Sequence, residues 1–486
     1  MIKIEINEEN FQYDIHSLVK AFFPEQDVKF FQKGTEKQDS DEQEYPVSME
    51  IVYGAEETDV RLFENGTEKQ CVTVKADSES RTEMKNCLKR AIYGILRDFT
   101  GKSLPWGDLT GIRPTRIPMQ LLEQGWSEPA IASHMKETYL VSEEKTSLSI
   151  EIAKREREIL SPIHYEKGYS LYIGIPFCPT TCLYCSFTSY PIVSWEKRVG
   201  EYLTALFREM DAAAELCKDY YLDTVYIGGG TPTTLKPEEL DCLLCAVEEK
   251  FDLSHVKEFT VESGRPDSIT PEKLAVLKKH HVTRISINPQ TMKEETLKII
   301  GRRHTVAETI EAFRMARDAG FDNINMDLIM GLPGENVEDV RNTLSAIEEL
   351  HPESLTVHSL AVKRASRLNQ WMEENGRNSI QNTPEMMKLT ENFARRMGLN
   401  PYYLYRQKNM AGNFENVGYA VNGKEGIYNI LIMEEMQSII ALGAGTVTKR
   451  VYDDGRIERC DNVKDVGLYI EKIDEMIERK RKVFAD

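Results

Sequence analysis

A chain of 486 residues, 41% hydrophobic and 29% charged, has the composition of a globular protein of about two to four domains. Its net charge of −18 excludes a broad electrostatic nucleic-acid surface. No run of about 18 apolar residues suggests a membrane span, the acidic, alternating residues 1–10 are unlike a signal peptide, and nine cysteines without secretory context point to reduced thiols in the cytoplasm.

Residues 1–75 read as short strands and turns, with alternation at 1–6 and 48–52 and a polar loop at 37–44. From Glu83 to about Glu158 the pattern is helical. It is interrupted at 101–118, which holds too much Gly and Pro for a helix. That loop carries Arg113 and Arg116, with Trp106 as its anchor. From residue 169 the rhythm becomes strand, helix, strand, helix. Six strands are expected, at 169–175, 223–227, 258–262, 282–287, 323–329 and 354–360. Repeated βα units imply parallel strands with right-handed crossovers. Six units are too few for the closed eight-stranded barrel, so the expected fold is α/β, a (β/α)6 partial barrel. Its chemistry belongs at the C-terminal strand ends. Beyond 365 a helix is expected at 382–399, an aromatic and polar segment at 401–413, a helical run at 433–442 and an amphipathic charged helix at 468–481. The resulting division is 1–160, an N-terminal α+β region; 161–365, the barrel core; and 366–486, a C-terminal extension on the substrate side.

The first barrel strand runs directly into Phe-Cys178-Pro-Thr-Thr-Cys182-Leu-Tyr-Cys185. Three thiolates spaced C-x3-C-x2-C on one loop can hold three corners of a [4Fe-4S] cluster, which usually takes four cysteines. One iron then stays open to an outside ligand, and the amino and carboxylate groups of S-adenosylmethionine can chelate it. Electron transfer from the cluster cleaves the sulfonium, and the adenosyl fragment abstracts hydrogen. A zinc site more often pairs two C-x2-C knuckles. Cys242 and Cys245 do form a second C-x2-C, but within a helical pattern, and read as buried helix residues.

The cysteine loop, Gly228-Gly-Gly-Thr-Pro-Thr233, Glu262, Ser-Ile-Asn-Pro-Gln290, Ile-Gly-Arg302-Arg-His and Asn-Met-Asp327 follow one another at successive strand ends. In motifs and order they closely resemble the oxygen-independent coproporphyrinogen III oxidase family of radical SAM proteins, over roughly residues 165–450. Pro-Trp-Gly-Asp-Leu-Thr-Gly-Ile-Arg-Pro-Thr (105–115) and Tyr-Arg-Gln-Lys-Asn-Met (405–410) resemble its HemZ branch.

The resemblance implies a role for each of these positions. Tyr172 lies near the cluster and S-adenosylmethionine, and with Arg302 is a catalytic candidate. The backbone of Tyr184 lies near the adenine, as does the small residue Ala361. Gly228, Gly229, Gly230 and Thr231 receive the methionyl group, and a side chain at Gly230 is expected to weaken cofactor binding while sparing iron. Glu262 meets the cofactor, Gln290 its ribose or methionine portion, Arg302 a carboxylate; Asp327, a charge in an apolar strand, completes the set. The implied substrate is a tetrapyrrole. The foremost reaction is oxidative decarboxylation of coproporphyrinogen III to protoporphyrinogen IX in anaerobic haem biosynthesis. A haem-binding or haem-transfer protein and a haem-modifying enzyme are the alternatives. An external electron donor such as flavodoxin or ferredoxin is implied. Arg113, Arg116 and Arg406 are the candidates for binding propionates, since arginine pairs carboxylates bidentately; ordinary salt bridging accounts for them equally well. The chain departs from the oxidases at Gly174, where they carry histidine, and at Phe187, where they carry a further cysteine. Residues 416–434 lack the His and Cys of the haem chaperones. His280 and His281 read as surface caps, His304 as a neighbour of the arginine pair, and His358 faces either the cavity or the helices.

Overall fold

The computed structural model describes residues 1–33, 45–75, 80–363, 366–376, 380–407 and 414–484. The polar loop at 37–44 and the 408–413 end of the aromatic segment lie outside them. The chain divides into two compact units, Met1–Lys154 and Arg155–Asp486.

The first unit is built on a five-stranded sheet in the order β2-β1-β3-β4-β5, with β1 (Ile2–Ile6), β2 (Val28–Gln32), β3 (Val47–Tyr53), β4 (Glu57–Glu64) and β5 (Thr67–Lys75). Strand β1 is central and parallel to β2 and β3, and β3 to β5 form an antiparallel meander. Alternate residues of β1 are buried, so Ile2, Ile4 and Ile6 form one apolar face. Two helices, Gln12–Phe22 and Arg81–Thr100, complete the core through Ile15, Leu18, Val19, Leu88, Ile92 and Leu96. The first was not expected. Ile15, Leu18, Val19 and Phe22 recur at helical spacing, a signal the alternating strands on either side obscure. Trp106 is buried as expected. Arg113 stays in the loop and is half-buried, whereas Arg116 is exposed and opens a helix, Arg116–Glu123. Pro118 sits in that helix's first turn, where its missing N–H breaks no bond.

The second unit holds an eleven-stranded sheet ordered β14-β15-β13-β12-β11-β10-β9-β6-β16-β17-β18. Its centre comprises β6 (Gly168–Ile175), β9 (Tyr221–Gly229), β10 (Glu258–Glu262), β11 (Arg284–Ser286), β12 (Ile324–Met330) and β13 (Ser354–Ser359), all parallel. These are the six expected strands, joined mainly by helices, and they make the (β/α)6 partial barrel. The two-residue strands β7 (Phe177–Cys178) and β8 (Tyr190–Pro191) pair beside it. Beyond β13 lie the antiparallel β15 (Asn416–Ala420) and β14 (Asn400–Tyr405). At the other edge β16 (Ser438–Leu442) runs parallel to β6 and is followed by the antiparallel β17 (Val447–Val451) and β18 (Ile457–Asp461). The segment after 366 thus continues the barrel sheet at both edges.

The helical run expected at 433–442 is corrected: a helix spans Ile427–Glu434, and Ser438–Leu442 is strand β16, buried along its whole length. A short β-branched apolar run cannot be told from buried helix by periodicity alone. The C-terminal charged segment forms two helices, Val466–Glu471 and Ile473–Phe484. No helix among the described residues is long and apolar enough to cross a membrane.

Candidate active site

Strand β6 delivers the three clustered cysteines. The β7–β8 pairing closes the neck of their loop, joining Cys178 to Pro191 in register. Inside it the Cys185 N–H donates to the Cys182 carbonyl at 3.2 Å, and the Leu183 N–H to the Ile300 carbonyl at 3.0 Å. All nine cysteines are free of disulfides, and each sulfur of the trio meets a donor. The Thr231 hydroxyl reaches Cys178 Sγ at 3.5 Å. Arg265 Nη1 lies 3.8 Å from Cys182 Sγ, and that sulfur is close enough to Arg302 to raise the guanidinium's pKa. The Phe187 backbone N–H faces Cys185 and opposes the rise of its thiol. Asp267 holds the Arg265 guanidinium with two bonds of 3.0 and 2.8 Å. Burial pushes the Cys178 thiol up to about 11, against the pull of Thr231, and raises Cys185 too. A cluster's cations reverse this preference and deprotonate the ligating thiols. Three thiols on one short loop, each with a hydrogen-bond donor, fit a [4Fe-4S] cluster, whose potential such donors tune.

The glycine turn closes over the same loop. Gly230 N–H donates to the Ile175 carbonyl and Thr231 N–H to the Phe177 carbonyl, both at 2.7 Å. Gly229 adopts φ +104°, where side chains are strained. A Cβ on Gly230 would lie 2.5 Å from the Phe177 carbonyl oxygen and 2.9 Å from Phe177 N, and one on Gly228 3.0 Å from the Glu262 carboxyl carbon. Gly230 is therefore held against the backbone that leads into the cysteine loop. A side chain there presses on the backbone that enters the loop, so it bears on iron as well as on the cofactor.

The barrel interior carries one continuous polar arc. In β6, β10, β12 and β13 a single residue of each strand is not fully buried: Tyr172, Glu262, Asp327 and His358. Tyr226 of β9 joins them. Its ring stacks on Tyr172 at 6.1 Å and on Tyr428 at 4.5 Å, and its hydroxyl donates to Glu262 Oε1 at 2.6 Å. Burial, reinforced by the Asp327 charge, pushes Glu262 up to about 7. Asp327 is the opposite case. Burial raises it, but His358, Asn325 and Thr356 outweigh that and hold it below the usual carboxylate range. Asn325 Nδ2 donates to its Oδ1 at 2.7 Å, His358 Nε2 lies 3.9 Å from its Oδ2, and the Tyr405 hydroxyl is 3.4 Å from His358 Nδ1. His358 thus faces the interior. The arc sets two carboxyl groups of unlike proton affinity, Glu262 against the glycine turn and Asp327 two strands along, suited to receiving a cationic ligand.

The remaining expected residues fall in different places. Gln290 is buried just past β11 at φ +67°; its N–H donates to the Asp327 carbonyl at 2.9 Å and its carbonyl accepts from Ile329 N–H at 3.0 Å. This extends the sheet by one bridge. Arg302 is buried behind the cysteine loop, and its guanidinium donates to the Asn288 carbonyl, to the Gly264 carbonyl at 3.5 Å and to the Tyr184 hydroxyl at 3.4 Å. Burial pulls its pKa down, and Tyr184 and Cys182 more than restore it. Arg303, next to it, is exposed. Tyr184 packs with Leu297, Ile300 and Leu360, and Ala361 is half-buried past β13. Arg406 is buried; burial pushes it down to about 10 and the Glu415 charge opposes that shift. Arg113 and Arg116 lie in the first unit.

Two minor readings are corrected. Cys242 is exposed rather than buried, and His280 is 2% exposed rather than a surface cap, sitting 2.8 Å from Asp241 and 3.9 Å from Cys245. Sequence reasoning passed over Arg265, Tyr226, Tyr428 and Tyr405. Arg265 had a signal, lying three residues past Glu262 in a Gly-Arg-Pro turn. The tyrosines had none, because an aromatic in a strand reads as core.

A parallel partial barrel with three cysteines after its first strand and a glycine turn after its second defines a radical SAM protein. The model of the Radical SAM superfamily matches residues 172–347. The oxygen-independent coproporphyrinogen-III oxidase-like protein HemZ of Bacillus subtilis is 44% identical over 84% of this chain and 82% of its own length. The haem chaperone HemW of the same organism is 39% identical over 40% of the chain and 51% of HemW. The solved coproporphyrinogen III oxidase HemN of Escherichia coli shares the fold, with a TM-score of 0.52 at 21% identity over 66% of this chain and 72% of HemN. The chain belongs to the HemZ-type, oxygen-independent coproporphyrinogen-III-oxidase-like family of radical SAM enzymes, whose cofactors are a [4Fe-4S] cluster and S-adenosylmethionine.

Proposed function

We propose that this enzyme decarboxylates coproporphyrinogen III oxidatively to protoporphyrinogen IX, in the cytoplasm, with electrons from an external carrier of the flavodoxin or ferredoxin type. Each reacting propionate gives up a β-hydrogen, then carbon dioxide and an electron, and becomes a vinyl group. The supporting observation is the juxtaposition of three donor-flanked sulfurs with the Tyr172–Tyr226–Glu262 arc, in a chain 44% identical to HemZ.

When bound, the cluster and S-adenosylmethionine supply hydrogen abstraction. Cys178, Cys182 and Cys185 hold the cluster, with Arg265, Arg302 and Thr231 orienting the sulfurs. The Gly228–Gly230 turn leaves room for the methionyl group, and Glu262 and Asp327 face its positive charge. Gln290, Tyr184 and Ala361 border the rest of the cofactor, and Tyr172 presents the face of its ring. Arg113, Arg116 and Arg406 are proposed to pair propionates; Arg113→Gln and Arg116→Gln then lower porphyrinogen turnover more than uncoupled 5′-deoxyadenosine release. Residues 1–160, 161–365 and 366–486 are proposed as accessory, catalytic and substrate-side regions.

The test is anaerobic incubation with coproporphyrinogen III, S-adenosylmethionine and dithionite, followed by mass spectrometry. Loss of carbon dioxide and two hydrogens from each of two propionates is expected. A second reading, haem binding and transfer, draws on the 39% identity with HemW. Tightly held haem with no porphyrinogen product selects it, and an altered haem product selects haem modification.

A further inference from the structure

The outer face of the cysteine loop differs in charge from the rest of the chain. The whole carries −18, yet beside the loop lies a cleft of about 880 Å³ whose lining includes Lys298, Arg303 and Arg367. Its one carboxylate, Glu294, is engaged in capping Val306 N–H at 2.8 Å. Among the described residues Lys298 and Arg303 enter no ion pair. The basic segment lies directly on the loop. Thr180 donates to the Gly301 carbonyl at 2.9 Å, and Arg367 donates to the Thr181 carbonyl at 2.6 Å.

The stretch that follows the last cysteine carries the two most exposed large apolar side chains of the described residues, Val193 at 81% and Phe187 at 76%. Single exposed apolar residues are ordinary, but Phe187 lies two residues past Cys185 and Val193 two residues past the strand β8 that closes the loop. Val193 also lines the basic cleft. Exposed apolar side chains beside cations that enter no ion pair are the composition of a transient protein interface. Its sign selects an acidic partner, which the remaining surface repels.

We propose that this face, anchored by Phe187 and Val193 and rimmed by Lys298, Arg303 and Arg367, docks a small acidic carrier protein that bears a flavin or iron–sulfur group. The proposal rests on the radical SAM assignment. In the step it serves, the carrier is oxidised by one electron and the centre held by Cys178, Cys182 and Cys185 is reduced by one; no bond forms and no proton moves. Electron-transfer encounters need only small interfaces, below about 1,200 Å², and an open cleft with two apolar knobs suits one.

The test uses anaerobically reconstituted holoenzyme and compares 5′-deoxyadenosine release driven by dithionite with release driven by reduced flavodoxin or reduced ferredoxin, both acidic. In Lys298→Glu/Arg303→Glu the carrier-driven rate falls about tenfold at low salt, as expected for reversed rim charges, while the dithionite-driven rate holds. Val193→Ser behaves likewise with a smaller salt dependence. Wild-type carrier-driven rates in the double variant overturn the proposal, as does wild type that neither carrier reduces. An equal fall with dithionite and carrier also overturns it, because these residues then act on the site itself. Wild type that fails with dithionite as well refutes the radical SAM reading instead.

Discussion

The Tyr226 hydroxyl is bonded to Glu262 across the β9–β10 pair at 2.6 Å, and this bond holds a carboxyl group that burial pushes up to about 7. The folded protein therefore binds that proton more tightly than the unfolded chain, whose carboxyl titrates near 4.5. A buried carboxylate kept for a cationic ligand costs stability whenever the ligand is away.

The cost follows pH. Below about 4.5 Glu262 is protonated in both states and there is no penalty. Between that value and about 7 only the unfolded chain releases the proton, so stability falls as pH rises. Above about 7 the full penalty, about 3 kcal/mol, is present. Glu262→Gln keeps an acceptor for Tyr226 and removes the charge. Urea unfolding is expected to show the variant more stable than wild type at pH 8, with the gain shrinking towards pH 5.5, while S-adenosylmethionine affinity falls. A gain independent of pH contradicts the assignment.

Replacing any one of Cys178, Cys182 and Cys185 with Ser removes one of three corners. Iron after anaerobic reconstitution is expected to drop to background, and 5′-deoxyadenosine release with it. Cys217→Ser alters neither, since Cys217 is buried elsewhere in the barrel. Iron and acid-labile sulfide analysis reads the result.

Gly230→Ala places a methyl group 2.5 Å from the Phe177 carbonyl oxygen. Backbone must shift, and the backbone in question enters the cysteine loop. Iron retention and S-adenosylmethionine binding are both expected to fall. Gly200→Ala, in a helix with nothing within 4 Å of the new Cβ, leaves both unchanged and stabilises by up to about 1 kcal/mol. Loss of cofactor binding with full iron in Gly230→Ala restores the simpler view that the turn touches only the ligand.

The barrel was legible because its signals are local. Each strand is a short apolar run, and Cys178, Gly230, Glu262 and Asp327 mark strand ends within a few residues. Strand β16 was not legible: Ser438–Leu442 is apolar on both faces, as a strand buried against β6 must be, and carries no period. The helix Gln12–Phe22 was lost among alternating neighbours. In the site, the sequence picked out residues with distinctive chemistry. It could not pick out Tyr226, Tyr428 or Tyr405, whose roles come from stacking and from partners 36 to 47 residues away or farther. Nor could it show that Arg302 turns towards backbone carbonyls while Arg303 faces solvent.

The most buried ion pair among the described residues of the second unit was equally hidden. Lys480 Nζ meets Glu209 Oε1 at 2.6 Å, with side chains 2% and 0% exposed. Glu209 also accepts from the Tyr469 hydroxyl at 2.5 Å, Asn462 Nδ2 at 2.7 Å and Gly443 N–H at 2.8 Å. Gly443 lies against the Gly174 carbonyl on β6, which also accepts from Tyr202 at 2.5 Å. The pair therefore ties the C-terminal helix to the strand that carries the cysteine loop. Lys480→Met leaves Glu209 charged without its cation, and removal of one partner from such a pair costs about 3–5 kcal/mol. Glu209→Gln/Lys480→Met removes the stranded charge, keeps one acceptor oxygen for Tyr469 and Gly443 and offers an amide N–H to Asn462 Oδ1, which Lys480 no longer serves, so it is expected to recover part of that loss. Urea midpoints of wild type, Lys480→Met and the double variant measure the difference, and iron retained through repeated desalting reports on the loop. Lys480→Met is expected to lose iron faster than wild type, with the double variant between them. A double variant less stable than Lys480→Met alone means that Glu209 is held by its hydrogen bonds rather than by the lysine.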